Sequence, residues 1–191
     1  MDYRFLNDWM IKNVYPMPRA DLVVDTVQSM EAKYFSKFNI RWGFNNIRMK
    51  KEHEWKMAFK THYGLYKPTV MFFGMCNSPA TFQGMMDQIF KDKIHNKWII
   101  VYMDNILVFS KTKEGLREIT KKVLQKLCDN NLYLKPGKCK FEKTRIEYLG
   151  MILEEGKLSM DPTKLIGIRE WPQPTTVKQI RSFLGFGNFY Q

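Results

Sequence analysis

Apolar positions mark out the elements of this chain. Between residues 98 and 110, Trp-Ile-Ile-Val-Tyr-Met leads into Asp104-Asn105 and Ile-Leu-Val-Phe-Ser leads out, which predicts two buried strands joined by a two-residue turn. Asp and Asn tolerate positive φ, so the pair suits a type I′ hairpin with one carboxylate and one amide at its tip. Good turn chemistry alone accounts for that pair, and a chemical role depends on what else converges there. Residues 34–40 read as a strand ending at Asn39, and Leu22, Val23, Val27 and Met30 give helical spacing over 21–30. Trp55, Met57 and Phe59 alternate with Lys56 and Lys60, predicting a half-buried strand that turns at Tyr63-Gly64 and returns through Leu65-Tyr66. Asn77-Ser78-Pro79 supplies an N-cap and a first-turn proline for a helix over 79–90, with Phe82, Met85, Met86 and Ile89 as its buried stripe.

Further on, Leu116, Ile119, Val123, Leu124 and Leu127 share one helical face, with Glu114 and Glu118 early and Lys121, Lys122 and Lys126 late, as the macrodipole favours. Short extended pieces follow at 133–134, 139–141 and 147–153 around a turn at Lys135-Pro136-Gly137-Lys138. Asp161-Pro162 opens a helix that must stop near Trp171-Pro172, and Thr176 with Gln179 forms a capping box for a last one. Residues 1–19 read as extended and irregular, Tyr15-Pro16-Met17-Pro18 excluding a helix, and the start reads as cut from something longer. The expected class is α+β, an antiparallel sheet with helices on one face. If the strand ending at Asn39 neighbours the hairpin, three short polar side chains meet at one sheet edge.

Composition narrows the partner. Lys and Arg outnumber Asp and Glu 31 to 19, giving a net charge of +12 and a pI near 9.6, and aromatics make up 15% of the chain. Positive charge interleaved with aromatic rings points to a nucleic-acid groove. Cys76, Cys128 and Cys139 have neither disulfide nor zinc spacing, so a reducing, intracellular setting is expected, cytoplasmic or nuclear. No apolar run approaches the ~20 residues of a membrane helix, and Met-Asp-Tyr-Arg does not open a signal peptide. His53, His62 and His95 read as surface residues.

Several ordered blocks then carry a family resemblance: D-Y-R-F-L-N, Y-F-S-K-F-N-I-R-W-G-F-N-N-I-R, W-K-M-A-F-K-T, V-M-F-F-G-M-C-N-S-P-A-T-F, V-Y-M-D-N-I-L-V-F-S, L-Y-L-K-P-G-K-C, E-Y-L-G-M-I-L and S-F-L-G-F-G-N-F-Y. The chain resembles the reverse transcriptase of gypsy-type LTR retrotransposons over essentially its whole length. The resemblance implies a right-hand polymerase with partial fingers at 1–31, a palm with an embedded fingers segment at 32–158 and the start of a thumb at 159–191. It implies an RNA or DNA template-primer and a dNTP as partners, a retroelement particle as setting, and two Mg²⁺ ions held by carboxylates on adjacent strands.

The sequence departs from the family at that site. The family carries Asp at the positions of Asn39 and Asn105, so Asp104 alone keeps a charge and the trio falls from −3 to −1. Loss of one preorganised electrostatic group costs ~10²–10³ in turnover, so an impaired polymerase is expected; the alternative is a non-catalytic nucleic-acid-binding or scaffold domain. Other roles follow by resemblance. Asn39, Asp104, Asn105 and Ile40 stand at the metal positions, and Ile40, Arg41, Phe44, Phe73 and Gly74 at the nucleotide, Phe44 as the aromatic beneath the incoming sugar. Leu149, Gly150 and Met151 match the primer grip. The family's triphosphate-binding strand lies upstream of D-Y-R, so weak nucleotide binding is also expected.

Overall fold

A computed structural model describes residues 2–188 of the protein; Phe189 and Tyr190, which end the final family block, lie outside them. The chain opens with α1 (Arg4–Trp9) and α2 (Ala20–Ser29), then β1 (Tyr34–Asn39). The expectation of irregular structure over 1–19 is corrected at α1. Tertiary contacts fix it: Tyr3 is buried and its hydroxyl donates to Met57 O, while the Asn7 amide donates to Gly74 O and accepts from Cys76 N. The 15–18 stretch is non-helical, as its prolines require.

Two 3₁₀ turns follow at Gly43–Asn46 and Lys51–Met57. The second replaces the predicted strand around Trp55–Phe59. Glu54 and Met57, three residues apart, are the buried positions and Trp55 is exposed, so the working period here is three rather than two. Extended structure begins only at β2 (Phe59–Thr61), which pairs with β3 (Gly64–Tyr66). Then come α3 (Ser78–Ile89), a short α4 (Lys91–His95), β4 (Ile99–Tyr102), β5 (Asn105–Ser110) and α5 (Lys113–Asp129). Thr112 caps α5 by accepting from Gly115 N at 3.1 Å. Asn77 holds the cap position of α3 but not the capping bond. Its side chain accepts from Asn13 N and donates to Ile11 O, fastening the N-terminal segment along α3.

The remaining elements are β6 (Lys140–Lys143), β7 (Arg145–Tyr148), β8 (Met151–Glu154), β9 (Lys157–Met160), α6 (Pro162–Arg169) and α7 (Val177–Asn188). The capping box forms as expected, Thr176 N donating to Gln179 Oε1 and Gln179 N to Thr176 Oγ1.

Four strands make an antiparallel sheet in the order β4-β5-β1-β6. Alternate side chains of β1, β4 and β5 feed two cores. Phe38, Ile99, Val101, Ile106 and Val108 pack with Phe82 and Met86 of α3 and Leu116, Val123 and Leu127 of α5. The opposite face, Phe35, Ile100, Leu107 and Phe109, is covered by Val23 and Val27 of α2 and by Ile146, Tyr148 and Leu153 of the β7-β8-β9 sheet. The expected helix layer is therefore matched by a second layer that includes a small sheet. Lys37 ties the two sheets by donating to Glu147 O at 2.8 Å, and its partial burial pulls its pKa below the ordinary lysine value. A third cluster of Tyr3, Met57, Met71 and Met75 joins the N-terminal segment to the 57–75 region.

Candidate functional site

Asn39 and Asn105 face each other directly in the β1–β5 ladder, and Tyr102 pairs with Asn105 to close the β4–β5 hairpin. The turn is therefore Met103-Asp104, one residue earlier than the predicted Asp104-Asn105. Positive φ falls on Met103 (φ 50) alone, not on two consecutive residues as a type I′ turn needs. Cross-strand pairing overrides the local preference of Asp-Asn, because moving Asn105 into the turn would break its pairing with Asn39. Ile40 N donates to Asp104 O at 2.8 Å, which fastens the turn to the end of β1.

The three polar side chains close on one another. Asn39 Nδ2 donates to Asp104 Oδ2 at 3.0 Å and to Asn105 Oδ1 at 3.2 Å, and Asn105 Nδ2 donates to Asp104 Oδ1 at 3.0 Å. Both carboxylate oxygens thus accept amide protons, and Asn39 is buried. This donor set does not fit two divalent cations. It holds one formal charge, and its inward-facing N–H groups occupy the oxygens a hard cation would need. Among the described residues no group of three or more His, Cys, Asp or Glu side chains could hold a metal ion.

Residues that the sequence left unremarked set this geometry. Gln83, fully buried on α3, donates from Nε2 to Val101 O at 3.1 Å and to Asp87 Oδ1 at 2.8 Å, and its Oε1 accepts from Met103 N at 2.7 Å. Asp87 in turn accepts from the Tyr15 hydroxyl at 2.9 Å, a bond that raises the Tyr15 pKa above its ordinary value. The N-terminal segment is thereby linked through α3 to the strained residue of the hairpin turn. A neutral amide directly after Phe82 in an apolar stripe was the available signal, since a buried polar group must find partners. Gly43 allows the first 3₁₀ turn to approach: a Cβ there would lie 3.3 Å from Asp104 Cβ and 3.3 Å from Phe82 Cζ. Tyr148 is the other missed residue. Its buried hydroxyl donates to Asn105 O at 3.1 Å, and desolvation raises its pKa well above the ordinary tyrosine value.

Of the other sequence candidates, Ile40 alone bonds directly to the triad among the contacts of the described residues, through its N–H to Asp104 O. Phe44 contacts Phe73 edge-on at 4.8 Å between ring centroids and Phe82 at 5.8 Å. Phe73 is exposed, and Gly74 has φ 98, a backbone state that suits glycine. The Arg41 guanidinium lies 4.1 Å from the centroid of the exposed Trp42 ring, and Arg41 N donates to Tyr133 O. Leu149 (φ 51) and Gly150 (φ 78) form the two-residue turn between β7 and β8, with Met151 opening β8. The paired positive φ expected at the central hairpin occurs here instead. Among the described residues no helix is long and apolar enough to cross a membrane.

A sequence profile described as Reverse transcriptase (RNA-dependent DNA polymerase) matches residues 1–153. The chain is 36% identical over 191 residues to the Retrovirus-related Pol polyprotein from transposon 297 of Drosophila melanogaster, covering 100% of this chain and 18% of that protein. It is 30% identical over 191 residues to the polyprotein from transposon gypsy of the same organism, with the same two coverages. The chain thus spans less than a fifth of the length of these curated relatives. Its fold is similar to that of the foamy viral protease-reverse transcriptase solved with an RNA/DNA hybrid, with a TM-score of 0.78 at 22% identity over 98% of this chain and 25% of that one. The same viral protein solved with double-stranded DNA in its dRH form gives 0.80 at 22% identity over 98% and 32%.

Proposed function

Because the chain belongs to the reverse transcriptase (RNA-dependent DNA polymerase) family, we propose that it is the polymerase core of a retrotransposon Pol polyprotein whose own nucleotidyl transfer is reduced to background by Asn39 and Asn105. The closed amide–carboxylate triad carries this reading. Two divalent ions, the family's expected cofactor, would lower the barrier by stabilising the attacking and leaving oxygens together. Asp104 alone offers them a charged ligand, and its oxygens already hold two amide protons.

The residues that remain suit binding and positioning. The foamy viral relative was solved with an RNA/DNA hybrid and with double-stranded DNA, which supports a template-primer partner for this basic chain, with a dNTP as the second substrate. Phe44, held between Phe73 and Phe82, would support the sugar of the incoming nucleotide, and Arg41, Phe73 and Gly74 would border it. The Leu149-Gly150 turn with Met151 would place the primer end, joined to the triad through Tyr148 and Asn105 O. We assign residues 1–31 to the fingers, 32–158 to the palm with its embedded fingers segment and 159–191 to the start of the thumb.

The non-catalytic reading is favoured by one observation, that the triad satisfies its own hydrogen bonds without a cation. The test is primer extension with Mg²⁺ by this chain beside its Asn39→Asp/Asn105→Asp variant, together with duplex binding over a salt series. We expect no extension by the unaltered chain and duplex affinity that falls steeply with salt. Robust extension by the unaltered chain overturns the impairment, and salt-insensitive or absent binding overturns the nucleic-acid reading.

A further inference from the structure

The β2–β3 ribbon is a two-stranded sheet of its own. Such a hairpin is marginal in water without a covering surface, yet this one exposes large side chains. Tyr63 is 81% exposed, Leu65 75% and Tyr66 49%, and Trp55, in the 3₁₀ turn leading into β2, is 68% exposed. The rings are arranged rather than scattered. Phe59 and Tyr66, paired across the ribbon, stack with centroids 6.0 Å apart at 27°, and His62 lies 3.9 Å from Tyr63. The Lys56 ammonium lies 5.9 Å from the Trp55 centroid.

Positive charge predominates along this stretch; of the two acids in the 3₁₀ turn, Glu52 is exposed and lies 3.6 Å from His53. No Asp or Glu occurs between Glu54 and Asp87, while Lys56, Lys60 and Lys67 do. Glu54 is buried and paired with Lys67 at 2.9 Å, so it does not project against a bound anion. We propose that the exposed rings of Trp55, Tyr63 and Tyr66, with the half-buried Phe59 stacked on Tyr66 and Lys56 beside Trp55, form a stacking surface for the unpaired bases of a single-stranded nucleic acid. Exposed ring faces recognise bases only where those bases are themselves unstacked, whereas a duplex hides them. Lysine is depleted in protein–protein interfaces and favoured along phosphate backbones, which selects the nucleic acid over a protein as occupant. The inference takes its ligand class from the proposed function but places binding away from the amide–carboxylate triad.

The test is fluorescence anisotropy of the whole chain with a labelled oligothymidylate and, in parallel, a blunt duplex. Trp55→Ala and Tyr63→Ala are each expected to weaken oligothymidylate binding about 5- to 150-fold, while duplex affinity changes less than about twofold. Tyr63→Phe keeps the ring and should keep the affinity. Lys56→Ala should reduce the salt slope for the single strand by about 0.7. Circular dichroism establishes that each variant folds. Equal losses for both ligands, or none, overturn the stacking surface. Duplex binding without oligothymidylate binding by the unaltered chain overturns this proposal alone, and binding to neither overturns it together with the nucleic-acid reading. A Tyr63→Ala change that dissociates a dimer in sedimentation and leaves single-strand affinity intact makes the ribbon a protein interface and also overturns it.

Discussion

Asn39→Asp tests the triad most directly. Asn39 Nδ2 donates to Asp104 Oδ2 at 3.0 Å and to Asn105 Oδ1 at 3.2 Å. A carboxylate in its place has no proton to give, so a charge-assisted hydrogen bond worth about 1.5–3 kcal/mol is lost. Two like charges about 4 Å apart then repel by about 4 kcal/mol at an effective dielectric constant of about 20. Taking up a proton at pH 7 caps that repulsion at about the same value, the cost of protonating an ordinary aspartate there. Together the fold should lose about 5.5–7 kcal/mol without metal, a drop in Tm on the order of 10–25 °C for a chain of this size. A divalent cation held by the new carboxylate pair reverses part of the loss, about 2.7 kcal/mol at roughly 100-fold above its Kd. The assay is a thermal melt followed by circular dichroism, in EDTA and in Mg²⁺ at matched ionic strength. An unchanged Tm in EDTA would refute the hydrogen-bonded triad, and an equal Mg²⁺ gain in the unaltered protein would refute the claim that its donor set does not fit the metal.

Gln83→Leu strands the buried Val101 C=O and the half-buried Met103 N–H; urea unfolding should show a loss of about 2–5 kcal/mol, with faster hydrogen exchange at Met103. Gly150→Ala should cost about 1–2 kcal/mol because the residue sits at φ 78, whereas Gly137→Ala, with nothing within 4 Å of the added Cβ, should stay within about 0.5 kcal/mol. The Arg117 guanidinium, with Lys113 beside it, holds the Glu142 carboxyl at about 2. Because that value lies below the ordinary 4.5, the link between α5 and β6 contributes fully above about pH 4.5 and is lost as pH falls through about 2. Carboxyl NMR should place the Glu142 midpoint near 2, and Glu142→Gln should remove the acid-dependent step.

Much of the architecture was legible residue by residue. The stripe of Phe82 and Met86, the face of Leu116, Val123 and Leu127, and the apolar runs on either side of Asp104 all became elements of the expected type. The convergence of Asn39, Asp104 and Asn105 was also readable, because a strand ending beside a hairpin tip leaves few places for its last side chain. The errors share a cause. The helix at Arg4–Trp9 depends on Tyr3 and Asn7 reaching residues more than fifty positions away, and the 3₁₀ turn at Lys51–Met57 is set by the burial of Glu54 and Met57 rather than by alternation. Gln83 gave only a weak signal because its partners, Val101 O and Met103 N, are backbone atoms of a distant hairpin.

Taken by itself, then, the sequence determined the kinds and order of the main elements, the excess of positive charge and the single carboxylate among the three polar residues at the sheet edge. These follow from side-chain type and from periods of two and 3.6 residues, which are local properties of the chain. Tertiary structure alone decided that the turn is Met103-Asp104, that Gln83 and Tyr148 hold the hairpin from opposite faces, and that both oxygens of Asp104 accept amide protons. A one-residue shift of a two-residue turn barely alters local propensity, but it slides β4 by two residues along β5 and takes Asn105 out of the ladder. The direct pairing of Asn39 with Asn105 selects between the two registers, and the chemistry available at the site follows from that choice.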